Sequence, residues 1–388
     1  MTNVSDTTHE PVITTNYLRS MKLFYAITIA FAAFIAIAAQ PMKKKWKPEQ
    51  LRDAKIEFGR QMFFDKALSN PDGQSCTVCH APKTSFSDPN HAVVSEGMVD
   101  GAFVNRNSQS LAYVSYIPPR TWSKEENLWK GGFFWDGRSN TLAHQLSGPF
   151  FNPAEMNNTD TLMLIEELKK APYFNMYKNI YGKLKDPTEA FNNMCESIVM
   201  FESSETFNEF SSKFDLMIAG KVQFNENEKL GMQLFQGKAG CVKCHSMDPD
   251  PVNGKVLFTN YGYYNIGVPR NENNPFYSTF ESINPKGKSA IDLGLGGVLN
   301  DPEQNGKFRV PTLRNVQYTG PYFHNGFATT LREAVHFMNT SNNGEFGDPE
   351  VRQNVARQLV GSQHMSPEEE DAIVAFLLTL TDGWEETE

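Results

Sequence analysis

The chain has 388 residues, enough for two domains that each bury a core of their own. Its hydrophobic and charged fractions, 40% and 21%, are those of an ordinary globular protein, and its formal net charge is −9. This charge leaves no basic surface of the kind that neutralises phosphates, so we expect no nucleic-acid partner.

The first predicted element is an export signal. Residues 21–39 read MKLFYAITIAFAAFIAIAA, which combines one lysine, an apolar run and small residues ending in an Ala-x-Ala cleavage pattern before Gln40. The alternative is an uncleaved membrane anchor, because the run approaches the length that spans a bilayer. We assign residues 1–39 to this signal region and expect the rest of the chain to lie outside the cytoplasm.

Helical patterns dominate the remaining sequence. A first helix should begin near Pro48, and a similar stretch covers residues 225–240. Helical apolar spacing also occurs in residues 158–174 and 188–204. Residues 366–383 begin with a Ser-Pro-Glu-Glu capping box and should end at Gly383. Because no series of alternating strands is visible, the expected fold class is all-α.

Two pairs of similar stretches indicate an internal duplication. SCTVCHAP near residue 75 resembles GCVKCHSM near residue 240, and each follows a helix in which a glycine precedes a phenylalanine by four residues. FFWDGRSNTL and YFHNGFATTL then follow the first and second pentad. We therefore predict tandem domains at residues 40–220 and 221–388. Residues 266–307, rich in Gly, Pro and Asn, should form a long irregular connection.

Each half carries one C-x-x-C-H pentad. One helical turn presents the two thiols on the same side, and the histidine projects toward whatever they hold. This pattern is typical of haem bound through two thioethers, with the histidine as an iron ligand. Zinc would need closer pairs, a redox dithiol would need no histidine, and a disulfide would not explain the repeat. The predicted haem-binding residues are Cys76, Cys79, His80, Cys241, Cys244 and His245.

The duplicated halves differ where a second iron ligand would lie. Met338 lies twelve residues after Gly326, and the equivalent residue after Gly137 is Pro149, which cannot bind a metal. A His/Met iron is closed and suited to passing electrons, whereas an iron with an open face can bind a small oxygen-containing molecule. The fifth cysteine, Cys195, lies on an apolar helix face and is predicted to be a buried packing thiol.

Taken together, these motifs resemble the bacterial di-haem cytochrome c peroxidases and the related di-haem enzyme that matures methylamine dehydrogenase. The resemblance runs from about residue 50 to residue 381 and rests on the two pentads with FFWDGR, GPFFNPAEMNN, FRVPTLRNV, GPYFHNGF and REAVHFM. It implies two tandem cytochrome c-like domains, each carrying one covalently bound haem c.

Residue by residue, the resemblance implies unequal roles for the two haems. The N-terminal haem would reduce peroxide, and the C-terminal haem, with Met338 as its second axial ligand, would receive electrons. Trp135 corresponds to a tryptophan that assists electron transfer between the haems. Glu155 corresponds to the distal acid, and a carboxylate above the iron can move a proton between the two peroxide oxygens. The resemblance also implies one calcium ion between the domains, held by Asn107 and by the carbonyls of Thr319 and Pro321.

Two departures from the family pattern affect the N-terminal haem. Many members place a capping histidine where this chain has Val99, and His91 is the only nearby candidate for that cap. Gln109 and Ser110 also stand where the family has a different loop sequence after Asn107. His324 is interpreted as structural or as part of the haem surroundings. The remaining histidines considered, interpreted as surface or packing residues, are His144, His336 and His364.

The expected function is therefore that of a periplasmic cytochrome c peroxidase. It would reduce hydrogen peroxide to water with electrons from a small cytochrome c or cupredoxin, and the family is often dimeric. One alternative is an oxidase that modifies a protein residue, although the maturation enzyme has a tyrosine as the second ligand where this chain has Met338. Another is a non-enzymatic electron carrier, which would have two closed irons.

Overall fold

Helices joined by long irregular segments make up the chain in this computed structural model, which describes Met1, residues 46–251 and residues 253–386. The predicted signal region, residues 1–39, lies outside the described residues apart from Met1. Contacts separate the chain into Met1–Trp46 and Lys47–Glu388, and the second unit contains every element described below. Within the described residues, no helix combines the length and apolar character needed to cross a bilayer.

Eleven α-helices and four short strands are found in the described residues, together with single 3-10 turns. The helices are α1 (Pro48–Phe64), α2 (Cys76–Cys79), α3 (Leu142–Phe151), α4 (Thr161–Lys170), α5 (Phe174–Tyr181), α6 (Pro187–Glu202), α7 (Lys213–Ile218), α8 (Glu226–Gln236), α9 (Leu295–Leu299), α10 (Leu331–Thr340) and α11 (Pro367–Leu378). The strands are β1 (Thr121–Ser123), β2 (Leu128–Lys130), β3 (Tyr263–Tyr264) and β4 (Phe308–Arg309).

The predicted helices are present, and one boundary was wrong. The capping box at the start of α11 forms as predicted, with Ser366 and Glu369 each accepting from the other's backbone N–H. The helix ends at Leu378, not at Gly383, because Thr379 and Leu380 turn back into the core with backbone bonds to Phe376 and Leu377. The expected irregular connection over 266–307 contains only the short helix α9 and single 3-10 turns.

The described residues include a few strands, so the fold is helix-rich and not purely α-helical as expected. β1 pairs antiparallel with β2, and β3 pairs antiparallel with β4. Strands of two or three residues are too short to produce the alternation of apolar and polar residues that marks a strand in a sequence. Both small sheets lie beside the second pentad, as described below.

The two predicted halves share one feature of helix packing. A Cβ atom on Gly59 of α1 would lie 2.0 Å from the carbonyl oxygen of Ser197 in α6, and one on Gly231 of α8 would lie 1.9 Å from that of Ala372 in α11. Real Cβ atoms essentially never approach other atoms below 3.0 Å. Each glycine therefore permits the same close helix crossing in its own half.

Two hydrophobic cores accompany these crossings. The first is formed by side chains between Phe58 and Phe207 and the second by side chains between Phe214 and Leu380. Aromatic rings in edge-to-face contact fill both, for example Phe63 against Phe201 and Phe235 against Phe376. The boundary near residue 220 stays a prediction, because the contacts do not divide Lys47–Glu388 further.

Candidate functional site

The first pentad forms a single helical turn that presents its histidine in a fixed orientation. The backbone N–H of His80 donates to the carbonyl of Cys76 at 2.8 Å, which closes the turn. The ring Nδ1 of His80 lies 3.1 Å from the carbonyl oxygen of Phe86. When Nδ1 carries the proton and donates to that carbonyl, the lone pair of Nε2 is available to a metal.

The second pentad repeats this geometry. The N–H of His245 donates to the carbonyl of Cys241 at 2.8 Å, and its Nδ1 lies 3.0 Å from the carbonyl oxygen of Phe258. Burial lowers the pKa of His245 to about 4, although the backbone hydrogen bond opposes this shift. A neutral imidazole with one ring nitrogen already bonded is the form in which histidine binds iron.

The four pentad thiols are unpaired, so the structure holds no disulfide at either pentad. Burial raises the pKa of Cys79 and of Cys241 to about 12, which keeps these thiols protonated. No group of three or more His, Cys, Asp or Glu residues suited to a metal ion occurs in the described ranges. The pentads are thus available for thioether bonds, and the zinc alternative finds no ligand set among those residues.

A cavity of about 260 Å³ opens beside the second pentad. Cys241, Cys244 and His245 line it, and Met338 of α10 lines the same space. Much of the remaining wall is apolar, including Leu331, Val335, Ile373 and Leu377. A largely apolar cavity with two thiols, a histidine and a thioether on its walls fits a covalently bound haem with His/Met coordination.

A buried cation in this cavity also fits a haem. Arg309 is 4% exposed, and its Nε has no hydrogen-bond partner. Its nearest acceptor is Gln109 Oε1, 3.4 Å from Nη2, and burial lowers its pKa. A guanidinium without a carboxylate is expensive to bury, and the two propionates of a haem would supply the missing anion.

Glu155 lies beside the first pentad. It is half-buried, and burial raises its pKa to about 7, while the positive charge of Arg138 and a hydrogen bond with Asn152 oppose this rise. Its carboxylate also helps raise the pKa of Cys79, which places the two groups close together. A carboxyl group with a pKa near neutrality can both accept and return a proton.

The loop that carries Glu155 is fixed on two sides. The backbone N–H of Glu155 donates to the carbonyl of Asn152 at 2.9 Å, and its own carbonyl accepts from Met98 at 2.8 Å. A Cβ atom on Gly97 would lie 2.4 Å from the carbonyl oxygen of Ala154. The segment around Gly97 therefore supports the loop from behind, and no larger residue would allow this approach.

Trp135 is bonded to two residues that line the cavity beside the second pentad. Its indole Nε1 donates to the carbonyl of Asn107 at 2.9 Å, and its carbonyl accepts from the N–H of Arg309 at 2.9 Å. Trp135 and Asn107 line the cavity beside the second pentad, as do Thr319 and Pro321. The structure thus brings the three predicted calcium ligands to the cavity wall that also carries Trp135.

The two residues predicted to differ between the halves, Pro149 and Met338, lie in similarly capped helices. Thr141 and Thr330 cap α3 and α10, and each hydroxyl accepts the N–H three residues later at 3.1 Å. Pro149 and Met338 both stand eight residues after those caps. A thioether therefore faces the cavity in one half, where the other half has a proline within the helix.

Three of the described histidines outside the pentads, His91, His324 and His336, have side-chain contacts with other protein groups. His91 is exposed, and its Nδ1 lies 3.0 Å from the carbonyl oxygen of Gly320. His324 is buried and stacks on Phe308 with ring centroids 3.6 Å apart. His336 pairs with Glu345 and Glu370, and His144 and His364 are exposed.

Sequence reasoning missed two charged groups at this site. Arg309 stands within FRVPTLRNV, but nothing in that stretch shows that its guanidinium is buried without a carboxylate. Glu202, 1% exposed at the end of α6, has a carboxylate oxygen without a hydrogen bond. Burial raises its pKa to about 8, and its charge helps raise the pKa of Cys76. Only its apolar helical neighbours could have indicated that it is buried.

Comparisons with known proteins identify the family of the chain. Residues 53–223 match the family model described as di-haem cytochrome c peroxidase. The chain is 36% identical over 353 residues to the methylamine utilization protein MauG of Paracoccus denitrificans, covering 85% of this chain and 89% of that protein. It is 31% identical over 315 residues to cytochrome c551 peroxidase of Nitrosomonas europaea, covering 79% and 80%.

A solved structure is similar over most of the chain. The diheme peroxidase BthA of Burkholderia thailandensis superimposes with a TM-score of 0.73 at 29% identity, covering 85% of this chain and 86% of BthA. Pentads, fold and sequence similarity together define a protein of the di-haem cytochrome class. The chain belongs to the di-haem cytochrome c peroxidase family, which includes cytochrome c peroxidases and MauG. This family implies two haem c groups.

Proposed function

We propose that this protein is a cytochrome c peroxidase that converts one hydrogen peroxide to two waters, using two electrons and two protons. The electrons would come from a small c-type cytochrome or cupredoxin in the periplasm. The proposal rests on the different side chains that lie beside the two pentads. Glu155 lies beside the first pentad, and Met338 faces the cavity of the second.

Six residues would hold the haems, three at each pentad. When bound, the two haem groups would supply a peroxide-binding iron and an electron-accepting iron. His80 and His245 orient their Nε2 atoms through bonds from Nδ1 to the carbonyls of Phe86 and Phe258. Met338 would close the second site, and Arg309 would pair with a propionate there.

Glu155 would act as the acid–base group. With a pKa near 7 it is partly ionised at neutral pH, so its carboxylate can accept a proton from one peroxide oxygen. It then returns that proton to the other oxygen, which leaves as water. The fixed backbone of residues 152–155 keeps the carboxylate in place between these two transfers.

Trp135, Asn107, Thr319 and Pro321 would link the two haem sites. Asn107 donates through Nδ2 to the carbonyls of Ala92 and Val93 at 3.2 Å, which fixes the orientation of its amide. Its side-chain oxygen and the carbonyls of Thr319 and Pro321 are the hard oxygen donors that calcium prefers. We therefore place one calcium ion here, with Trp135 assisting electron transfer between the haems.

The remaining features of the proposal concern export and organisation. Residues 1–39 would direct the chain to the periplasm, by a cleaved signal or a retained anchor. Residues 40–220 would carry the peroxidatic haem, and residues 221–388 would carry the electron-transfer haem. A homodimer is part of the proposal. The cap suggested for His91 stays a prediction, because the bond between its Nδ1 and the carbonyl of Gly320 leaves Nε2 free.

The first test measures peroxide consumption by the holoprotein with a reduced small cytochrome c as donor. Glu155→Gln should lower turnover by roughly 10²–10⁴, because the amide cannot accept and return the proton. Glu96→Gln is the matched control: Glu96 is an exposed acid on the neighbouring loop, bonded to the N–H of Gly101. Wild type without peroxide consumption would reject the function, and an active Glu155→Gln variant would reject this role for Glu155.

The second test concerns Met338. Electron paramagnetic resonance of the isolated protein should show one high-spin and one low-spin iron. Met338→Ala should remove the low-spin signal of one haem only. Met365→Ala is the control, because Met365 lines the same cavity from a different segment. An unchanged spectrum in Met338→Ala would reject Met338 as a ligand, and two low-spin irons in the wild type would favour a plain electron carrier.

A second candidate function follows from one comparison. The 36% identity to MauG of Paracoccus denitrificans favours oxidation of a residue in a partner protein. The two candidates differ in what peroxide oxidises. Rapid peroxide consumption with a reduced cytochrome c would favour the peroxidase, whereas a slow rate together with a stable oxidised state of the isolated protein would favour the MauG-like reaction.

A further inference from the structure

An exposed β-hairpin stands out among the surfaces that the proposed mechanism does not use. It consists of β1 and β2, and Trp122 on β1 lies directly opposite Trp129 on β2. The two indole rings are in edge-to-face contact, with centroids 5.6 Å apart. Trp122 is 41% exposed, so an indole face is presented to solvent at the end of an aromatic pair.

The hairpin is attached to the segment that borders the second pentad. The N–H of Gly131 donates to the carbonyl of Tyr261 at 2.9 Å, and Lys130 pairs with Gly262 as an isolated bridge. The side chain of Leu128 lies so close to Gly262 that a Cβ atom there would be 2.6 Å from its methyl group. These contacts fix the tryptophan pair relative to β3.

Tyr264 of β3 lies between the hairpin and the second pentad. Its ring lies against Gly262, where a Cβ atom would be 3.0 Å away, and its hydroxyl accepts from Asn260 at 3.1 Å. Tyr264 and Cys244 line the same cavity, and the two side chains interact electrostatically. A short protein path therefore runs from the exposed indole to Trp129, its chain neighbour Leu128 and Gly262. It continues through Tyr264 to Cys244, which lines the same cavity.

The charges around the exposed indole nearly cancel. Residues 120–130 contain three cations and two anions, although the whole chain carries a net charge of −9. Lys130 pairs with Glu126 at 2.8 Å, and Arg120 donates to the carbonyl of Gly137 at 2.7 Å. Interaction surfaces whose binding energy comes from apolar contact have this composition, an exposed tryptophan surrounded by residues with little net charge.

We propose that the hairpin formed by β1 and β2 is the docking surface for the electron donor. The donor is a small one-electron redox protein whose cofactor edge lies in a flat, apolar and nearly uncharged face. This inference rests on the proposed function. In each encounter the donor metal loses one electron and the C-terminal haem site gains it, so two donors are oxidised for each peroxide. Trp122 supplies the apolar contact, and Tyr264 and Cys244 lie on the path.

The test compares Trp122→Ala with wild type as complete holoproteins. Leu162→Ala is the control, because Leu162 is an apolar side chain that is 61% exposed on α4, outside the hairpin. The probes are a purified oxidised azurin-type cupredoxin and a purified oxidised small cytochrome c, with affinity measured by titration calorimetry. Trp122→Ala should weaken binding of a donor by about tenfold or more, as loss of a central tryptophan does. Trp122→Phe should recover part of the affinity, and Leu162→Ala should bind like wild type.

Turnover separates this inference from the proposed function. With a small-molecule reductant that needs no docking, Trp122→Ala should consume peroxide within about twofold of the wild-type rate, because Trp122 touches none of the reacting groups. With the reduced donor protein, its kcat/KM should fall in parallel with the affinity. If wild type consumes peroxide with the small reductant but binds neither donor, the docking inference fails and the proposed function stands.

Four other results test the docking inference or the proposed function. Equal donor affinity of Trp122→Ala and wild type would overturn the inference, and so would an equal loss in Leu162→Ala. Donor affinity that falls steeply between low and high salt would show recognition by charge and would overturn the neutral surface. Absence of peroxide consumption with every reductant would reject the proposed function, whereas donor binding would still report on the hairpin.

Discussion

The pH dependence of peroxide turnover should follow the carboxyl group of Glu155. Burial raises its pKa to about 7. A base must be ionised to accept a proton, and the ionised fraction of such a group is about one half at pH 7 and about one tenth at pH 6. We therefore expect turnover to fall about fivefold between pH 7 and pH 6, and about tenfold between pH 8 and pH 6.

Arg138 provides a way to move that midpoint. Its positive charge opposes the effect of burial on Glu155, so Arg138→Gln should shift the midpoint of the profile above pH 7. Arg138→Lys keeps the charge and is the matched control. The side chain of Arg138 is 44% exposed, and its ion pair with Asp136 is 3.1 Å long. Loss of this partly exposed pair should leave the fold intact.

The assay is the initial rate of peroxide consumption between pH 5.5 and pH 9, with saturating reduced donor and overlapping buffers. Glu155→Gln should abolish the step near pH 7 and leave a low, flat profile. Glu202→Gln should keep the wild-type midpoint, which would show that the step is not due to the other buried carboxyl group near a pentad. A midpoint that does not move in Arg138→Gln, or a step that persists in Glu155→Gln, would refute the assignment.

Three further predictions address the framework of the two halves. Gly231→Ala should destabilise the protein by about 3 kcal/mol in thermal unfolding, because a Cβ atom 1.9 Å from a carbonyl oxygen of α11 must push two helices apart. Gly297→Ala is the control and should be neutral or slightly stabilising, because the nearest atom to its Cβ would be 3.5 Å away. Burial raises the pKa of Glu202 to about 8, so ionisation of this group opposes folding increasingly as pH rises from 4.5 to 8. The difference in unfolding free energy between Glu202→Gln and wild type should grow in favour of the variant over that range, and a constant difference would contradict the buried carboxylate. Arg309→Gln should lower the reduction potential of the C-terminal haem, because a nearby cation favours the reduced state, and should leave the potential of the other haem unchanged. A redox titration measures both potentials. Equal shifts at both haems would contradict the placement of Arg309.

Sequence reasoning recovered the features that leave a local pattern. The apolar spacing of α1 and α4 and the capping box of α11 predicted these helices, and the family was identified from the pentads and the motifs around them. The two glycines that permit the helix crossings stood at equivalent positions, although only the structure shows the carbonyl oxygens that they face. Local periodicity and capping decide such elements before any tertiary contact forms.

Features that depend on distant contacts were not predicted. The hairpin of β1 and β2 has strands of three residues, too short for a visible alternation, and its position depends on contacts with Tyr261 and Gly262. The end of α11 was placed too late, since a glycine marks a common stopping point but core packing at Leu380 stops the helix earlier. The burial of Arg309 and Glu202 is decided by tertiary packing that no single stretch records.

The hydrogen bond of Trp135 limits what its indole can become. The N–H donates to an amide carbonyl, the oxygen of Asn107, and such an oxygen is far too weak a base to keep a proton. An indole that loses an electron here must therefore stay a protonated radical cation and cannot relax to the longer-lived neutral radical. Such a cation is a strong oxidant that quickly recovers an electron, so under the proposed mechanism the ring would conduct charge and would not store it.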